Sequence, residues 1–281
     1  MAIDVVGAIT PKLEQAEIER VGRKPTESLD AYDCYLRGMA AYYTRKSENR
    51  SEARRFCYRA IELDPGFAAA YAMAGYCNAM MVGAGAKLDE ALAAETSRLM
   101  SRAVELDRND ATVLARAAWG HARLFRDLGI AASYCERAQT LNPSLALAWF
   151  VSGWIKVWLG EPEIGIEHFS RAFRLCPFDA NTLLGLHGKA HAYFMAERHG
   201  EAWSTAVVAA QELQSAPAYR IAAASAAIAG HRDEAAKYMA LFLRLDPDRR
   251  VSNLADVLGP YKRAEDIERY KLGMRLAGLP E

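Results

Sequence analysis

The stretch RRFCYRAIELDPGFAAAYAMAGYCNA, residues 54–79, decides the fold of this chain. It reads as the end of one helix, a short hinge at Pro65 and the start of a second helix, because proline has no N–H to continue the first helix. Small residues at Ala60 and Gly75 allow the two helices to approach closely, and Tyr71 fills the wedge between them. The stretch therefore predicts a helical hairpin.

The same hinge returns along the chain. RAIELDPGFAAAYAMAG (59–75) is followed by RAVELDRNDATVLARAAWG (102–120), RAQTLNPSLALAWFVSG (137–153), RAFRLCPFDANTLLGLHG (171–188) and, more loosely, LFLRLDPDRRVSNLADVLG (241–259). The hinge positions 65, 108, 143, 177 and 247 are 43, 35, 34 and 70 residues apart, and the last gap is two periods of 35. A fixed period near 34 indicates stacked repeats, with the extra residues placed in turns between paired helices.

One repeat unit is especially regular, AWFVSGWIKVWLGEPEIGIEHFSRAFRLCP (148–177). Its key residues have the spacings of the tetratricopeptide repeat (TPR) pattern: Trp149, Gly153, Gly160, Phe169, Ala172 and Pro177. The chain resembles the TPR family over roughly residues 28–247. The resemblance implies an all-α fold, a right-handed superhelical solenoid of about six TPR-like hairpins.

The composition excludes several classes of protein. Lys+Arg and Asp+Glu both number 35, so the chain lacks the net positive field of a general nucleic-acid binder. The five cysteines contain no CxxC pair and indicate reduced thiols, with Cys57 and Cys135 interpreted as apolar fillers. No apolar run reaches the roughly 18 residues that span a bilayer, and the first residues lack a basic signal-peptide region. We expect a cytoplasmic protein that binds neither nucleic acid nor membrane.

Both ends of the chain predict helices outside the repeats. Residues 1–27 are interpreted as an N-terminal amphipathic helix and linker, residues 28–247 as the repeats, and residues 248–281 as a C-terminal capping helix. In the capping helix, Ile267, Tyr270 and Met274 share one face. Terminal repeats need such caps because they have no outer neighbour.

A narrower resemblance involves the same ends. AEIERVGRKPTESLDAYDCYLRGMA (16–40), FCYRAIELDP (56–65) and GMRLAGLPE (273–281) are similar to the C-terminal TPR half of bacterial class III adenylate cyclases. Related TPR halves follow winged-helix DNA-binding domains in some bacterial regulators. The resemblance implies part of a signalling protein, and the short leader before the first repeat suggests a truncated or orphaned module. No stretch carries a cyclase's metal-binding aspartates, so we expect no catalytic residues and no cofactor.

The first helices of the hairpins should line the concave face of the solenoid. Candidate partner-binding residues on that face are Tyr35, Tyr42, Tyr76, Leu147, Phe150, Trp154, Trp158, His187 and His191. They predict an apolar groove for a partner's amphipathic helix or peptide. The competing interpretation is that these rings pack between neighbouring helices or under a terminal helix. His187 and His191 lie one turn apart without an evident third ligand, so no metal site is expected.

An exposed aromatic groove of this extent would require a cover. The candidates are a partner's helix, a second copy of the chain, or its own N-terminal helix. The sequence thus favours a non-catalytic protein–protein interaction or regulatory module of a bacterial signalling protein. The alternative is the regulatory part of a class III adenylate or guanylate cyclase, or of a winged-helix transcriptional regulator, whose catalytic or DNA-binding domain is absent from this chain.

Overall fold

The computed structural model describes residues 30–44, 47–83, 87–177 and 180–281. Within these ranges every regular element is helical. The α-helices are α1 (Ala31–Tyr43), α2 (Ser47–Leu63), α3 (Ala68–Gly83), α4 (Glu90–Leu106), α5 (Ala111–Phe125), α6 (Leu128–Leu141), α7 (Ala146–Leu159), α8 (Pro162–Leu175), α9 (Ala180–Met195), α10 (His199–Leu213), α11 (Ala216–Ile228), α12 (Arg232–Leu245) and α13 (Ala264–Leu276). A 3₁₀ turn, Leu254–Val257, precedes α13.

Consecutive helices pair into hairpins, and the hairpins stack. The chain forms two compact units, Met1–Val151 and Ser152–Glu281, and the boundary falls inside α7. Helices α1 to α6 form three hairpins of the first unit, and α9 to α12 form two hairpins of the second. The part of α7 from Ser152 onward pairs with α8. The fold class is the predicted all-α helical solenoid.

The predicted N-terminal helix over residues 1–27 lies outside the described residues. The predicted domain boundaries at 27 and 247 therefore remain predictions. Among the described helices, none is both long and apolar enough to cross a membrane.

The hinges between hairpins have a recurring hydrogen bond. Asp64, Asp107 and Asn142 each follow the last residue of a helix, and each side chain accepts a hydrogen bond from the N–H two residues later, at 2.9, 2.9 and 3.1 Å. This turn is a known preference of Asp and Asn, and it replaces the hydrogen bonds that the helix would have continued. The sequence LDPG, LDRN or LNPS thus encodes the end of one hairpin and the entry to the next.

Large side chains of second helices insert between neighbouring first helices where those helices carry glycine. Phe169 of α8 is fully buried between Gly153 of α7 and Gly188 of α9. A Cβ atom on Gly188 would lie 2.6 Å from the Phe169 ring, and one on Gly153 would lie 3.0 Å from it. In the first unit, Met100 of α4 occupies the same kind of gap, between Gly75 of α3 and Gly120 of α5. Glycine at these positions sets the spacing of the helices.

This close packing predicts that adding a single methyl group at Gly188 destabilises the fold. Gly188→Ala should lower the free energy of unfolding by about 1–3 kcal/mol, because the aromatic ring of Phe169 has glycine-bearing helices on both sides. Gly200→Ala is the matched control, since a Cβ there meets nothing within 4 Å in helix α10. That control should be neutral or stabilising by up to about 1 kcal/mol. Urea unfolding followed by circular dichroism measures both, and equal midpoints for the two variants would contradict this packing.

Candidate partner-binding surface

We call the surface formed by the first helices of one unit its first-helix face. In the first unit this face carries a row of aromatic rings from successive helices. Tyr42 of α1 contacts Tyr76 of α3 with ring centroids 5.7 Å apart, Tyr76 lies 6.5 Å from Trp119 of α5, and Trp119 lies 6.0 Å from Phe150 of α7. All four side chains are buried. The structure therefore brings together the predicted residues Tyr42, Tyr76 and Phe150.

The sequence analysis missed Trp119, which links the predicted rings. It precedes Gly120, whereas Tyr76 follows Gly75. When the two glycines are aligned in the sequence, the two rings therefore appear to occupy different positions of the repeat. Gly75 and Gly120 contact the same Met100 from opposite sides, which means that they are not equivalent positions of the repeat. The available signal was the aromatic residue itself, on a stretch already assigned to a first helix.

Tyr35 lies about two turns before Tyr42 on α1, and its hydroxyl accepts a hydrogen bond from a buried arginine. Arg116 of α5 donates from Nη1 to the Tyr35 hydroxyl at 3.0 Å and from Nη2 to the Met39 sulfur at 3.2 Å. Its guanidinium also lies 5.9 Å from the centre of the Tyr35 ring. Leu147, in contrast, lies apart from the aromatic row and packs on the alanine-rich contact of α5 and α6. Tyr35 and Tyr43 are half-buried, so each keeps part of its surface accessible.

The first-helix face of the second unit carries a second aromatic cluster. The ring of Trp154 lies 5.4 Å from Trp158, 5.0 Å from His187 and 5.4 Å from His191. The Trp154 and Phe169 rings are nearly perpendicular, with centroids 5.8 Å apart, so the cluster continues into the gap between α7 and α9 that Phe169 fills. The structure brings these four predicted residues together, and only His187 keeps part of its surface accessible.

The chain's own C-terminal segment, residues 251–281, lies on this face. The Lys262 N–H donates to the Trp158 carbonyl at 2.8 Å, and Gly259 contacts the Trp158 indole so closely that no side chain would fit. The Tyr261 hydroxyl lies 3.3 Å from Nδ1 of His191. The cover is thus a segment that the sequence analysis treated only as an end cap.

Helix α13 supplies the centre of this cover. Tyr270 is fully buried, stacks on His191 at 5.0 Å with an angle of 19° between the rings, and meets Phe194 edge-on at 5.6 Å. Arg220 of α11 donates from Nε to the Tyr270 hydroxyl at 3.3 Å. Arg220 is itself only 7% exposed, and the sequence analysis did not single it out.

Burial favours the neutral forms of two titratable side chains at the first-helix face of the first unit, Tyr42 and Cys77. Burial raises the pKa of Tyr42, with Tyr76 adding to the effect, and burial raises the pKa of the Cys77 thiol to about 12. The side chains of Cys57 and Cys135 are buried, as those of apolar fillers would be. In the described ranges no three His, Cys, Asp or Glu side chains form a group that could hold a metal ion.

Stacked hairpins of this kind define the TPR class of helical-repeat folds. The sequence matches no family model, and no curated protein matches it. Solved structures do match. The Thermus thermophilus TPR protein TTC0263 aligns with a TM-score of 0.52 and 16% identity over 76% of this chain and 99% of its own.

Two further matches are pilus proteins. The type IV pilus biogenesis factor PilW aligns with a TM-score of 0.55 and 13% identity, over 78% of this chain and 94% of its own. PilF of Pseudomonas aeruginosa aligns with a TM-score of 0.52 and 19% identity, over 81% of this chain and 94% of its own. At these identities the likeness shows the TPR fold.

Removing the tryptophan pair should destabilise the second unit. Trp154→Ser combined with Trp158→Ser should lower the free energy of unfolding by at least about 4 kcal/mol, because both rings are buried among α8, α9 and the C-terminal segment. Val208→Ser, at an exposed position of α10, is the control and should change it by less than about 0.5 kcal/mol. Thermal melting measures both, and an unchanged melting temperature for the double variant would show that the rings are not interior.

A second prediction concerns His168 of α8, whose Nδ1 lies 3.0 Å from the Ser152 hydroxyl. Burial lowers its pKa to about 4, with Lys156 and Arg171 adding to the effect and Glu161 opposing it. The unfolded chain, with a pKa near 6.5, binds this proton more readily, so stability should fall as the pH drops from 6.5 to 4. The loss should be about 1–2 kcal/mol after allowance for solvent around the half-buried ring.

The matched variant is His168→Gln, which keeps a hydrogen-bonding side chain but does not titrate. Urea unfolding at pH 7, 6, 5 and 4 should show a shallower loss of stability for the variant than for the parent chain. Parallel curves for the two proteins would mean that His168 contributes nothing to the acid sensitivity.

Proposed function

We propose that the chain is a non-catalytic protein-binding module whose first-helix faces hold an amphipathic helix or apolar peptide of a partner. One observation carries the proposal: the face of the second unit already holds a helix, α13, through stacked rings and side-chain hydrogen bonds. Faces lined by Tyr, Trp and His suit this task, because such rings provide a large contact area together with polar edges. Helix-in-groove binding uses this combination.

In the first unit the proposed contact residues are Tyr35, Tyr42, Tyr76 and Phe150. The rings of Tyr42, Tyr76 and Phe150, joined through Trp119, form the base of the face, and the half-buried Tyr35 and Tyr43 lie along α1 at its edge. A partner helix on this edge would bury further aromatic surface, which gives about 25 cal/mol per Å² before the costs of association.

The wider setting is also part of the proposal. The resemblance of both ends to the TPR half of bacterial class III adenylate cyclases supports a role within a cytoplasmic signalling protein. The regulatory part of a class III cyclase or of a winged-helix regulator is the alternative on the same resemblance. Both alternatives share the prediction that recognition occurs on a first-helix face.

Site-specific photo-crosslinking tests this. A p-benzoylphenylalanine in place of Tyr43 lies at the accessible edge of the proposed surface, and one in place of Ile130, exposed on the second helix α6, is the control. In lysate, the Tyr43 probe should crosslink one dominant partner segment at least about tenfold more than the Ile130 probe does. Mass spectrometry of the crosslinks should identify that segment as helical in sequence pattern. The same products in equal yield from both probes would overturn the proposal.

A further inference from the structure

The C-terminal segment lies on the second unit like a bound ligand rather than like another repeat. A further repeat would pack its first helix on the hairpin before it, α11–α12. Instead, α13 contacts α9 and α11, and the residues before it reach α7. The segment therefore crosses the face that three first helices form.

Helix α13 contacts this face through one inserted side chain, Tyr270, and a closely packed glycine, Gly273. Tyr270 inserts between His191, Phe194 and Arg220, three residues that come from two different helices. Gly273, one turn later, lies so close to Phe194 and Ala224 that a Cβ atom would be 2.9 and 3.2 Å from them. An aromatic residue followed three positions later by glycine is thus the pattern that this surface accepts.

The charge on this surface is not balanced by the segment that covers it. Arg220 donates one hydrogen bond, to a neutral hydroxyl, and its guanidinium lies 5.9 Å from the Tyr270 ring. Among the described residues no carboxylate forms an ion pair with it. Asp266, the fully buried acid of α13, is instead held by Arg263 at 2.8 Å and Arg269 at 3.3 Å within its own segment.

A buried guanidinium is stabilised best by an anionic partner that accepts two hydrogen bonds. The Tyr270 hydroxyl accepts one hydrogen bond and brings no negative charge, so the ion-pairing capacity of the guanidinium is unused. Arg220 therefore fits a ligand that brings a carboxylate to the place where the Tyr270 hydroxyl lies. The covering segment satisfies the shape of the surface but not its charge.

We infer that the first-helix face of the second unit is a recognition surface for a partner's amphipathic helix that carries an aromatic residue and an anionic group directed at Arg220, and that α13 is a tethered substitute for it. This deepens the proposed function and rests on it. The tether keeps α13 at a high effective concentration, so a fit that lacks the ion pair is enough to cover the surface in the absence of the partner. The better-matched helix displaces α13.

Synthetic peptides of residues 259–281 test the inference by fluorescence anisotropy against the full chain. One peptide has the natural sequence, one carries Tyr270→Ala, and one carries 4-carboxymethylphenylalanine in place of Tyr270. In the full chain, Tyr270→Ala should weaken the tethered contact and increase the affinity for the natural peptide at least about tenfold. The carboxymethyl peptide should bind at least about tenfold more tightly than the natural one, because it brings a carboxylate to Arg220.

Two chain variants assign the effect to the surface. Arg220→Met, added to the Tyr270→Ala chain, should abolish the advantage of the carboxymethyl peptide. Leu272→Ala, at an exposed position of α13, should leave all affinities of the parent chain unchanged. The inference fails if the Tyr270→Ala chain binds the natural peptide no better than the parent chain does, or if the three peptides bind equally.

Hydrogen exchange on the unmodified chain gives a result that does not depend on the folding of any variant. The amides of α13 should exchange faster than those of α11, and an excess of the carboxymethyl peptide should accelerate α13 further while protecting α9 and α11. An α13 that is as protected as α11 and unaffected by the peptide would overturn the inference. If that occurs while the Tyr43 probe still captures a partner helix, the proposed function stands without this inference. If instead the peptide affects α13 as expected but the Tyr43 and Ile130 probes crosslink equally, the proposed function is overturned.

Discussion

The insertion of one large side chain between two glycine-bearing helices is the contact on which the rest of this structure depends. Phe169 in one unit and Met100 in the other fill gaps that exist only because the flanking helices have no side chain at that point. The gap fixes how closely successive first helices approach. Because protein interiors are densely packed, a change of one methyl group at such a point is transmitted to both neighbouring helices.

The close approach of first helices has a direct consequence for the surface that they form. Rings on successive helices come within contact distance of one another, so the aromatic residues make a continuous row instead of separate anchors. A row of this kind offers a partner a flat, rigid, partly polar surface at little cost in side-chain entropy. The buried arginines Arg116 and Arg220 add specific hydrogen-bond donors to it.

The two units use this surface differently. In the second unit, residues 251–281 cover the tryptophan pair, with backbone hydrogen bonds at Trp158 and a stacked ring at His191. In the first unit, Tyr35 and Tyr43 keep part of their surfaces accessible. Both proposals follow from this contrast, since an aromatic row that accepts a helix of the same chain has the chemistry to accept one from another protein.

The hinge motifs and their spacing were enough to predict the hairpins, because the turn at Asp64, Asp107 or Asn142 depends on residues two positions apart. Periodicity likewise placed Tyr42, Tyr76 and Trp154 on first helices. The sequence did not reveal Trp119 as the link in the row, since the glycine beside it occupies a different position of the repeat from Gly75, nor Arg220 as a buried donor. It did not predict residues 251–281 as a cover, although the described structure places Tyr270 on His191. The N-terminal helix, which it named as a possible cover, lies outside the described residues. Repeat periodicity reports contacts between near neighbours in the chain, but the path of the chain after its last repeat depends on long-range packing, which only the tertiary structure decides.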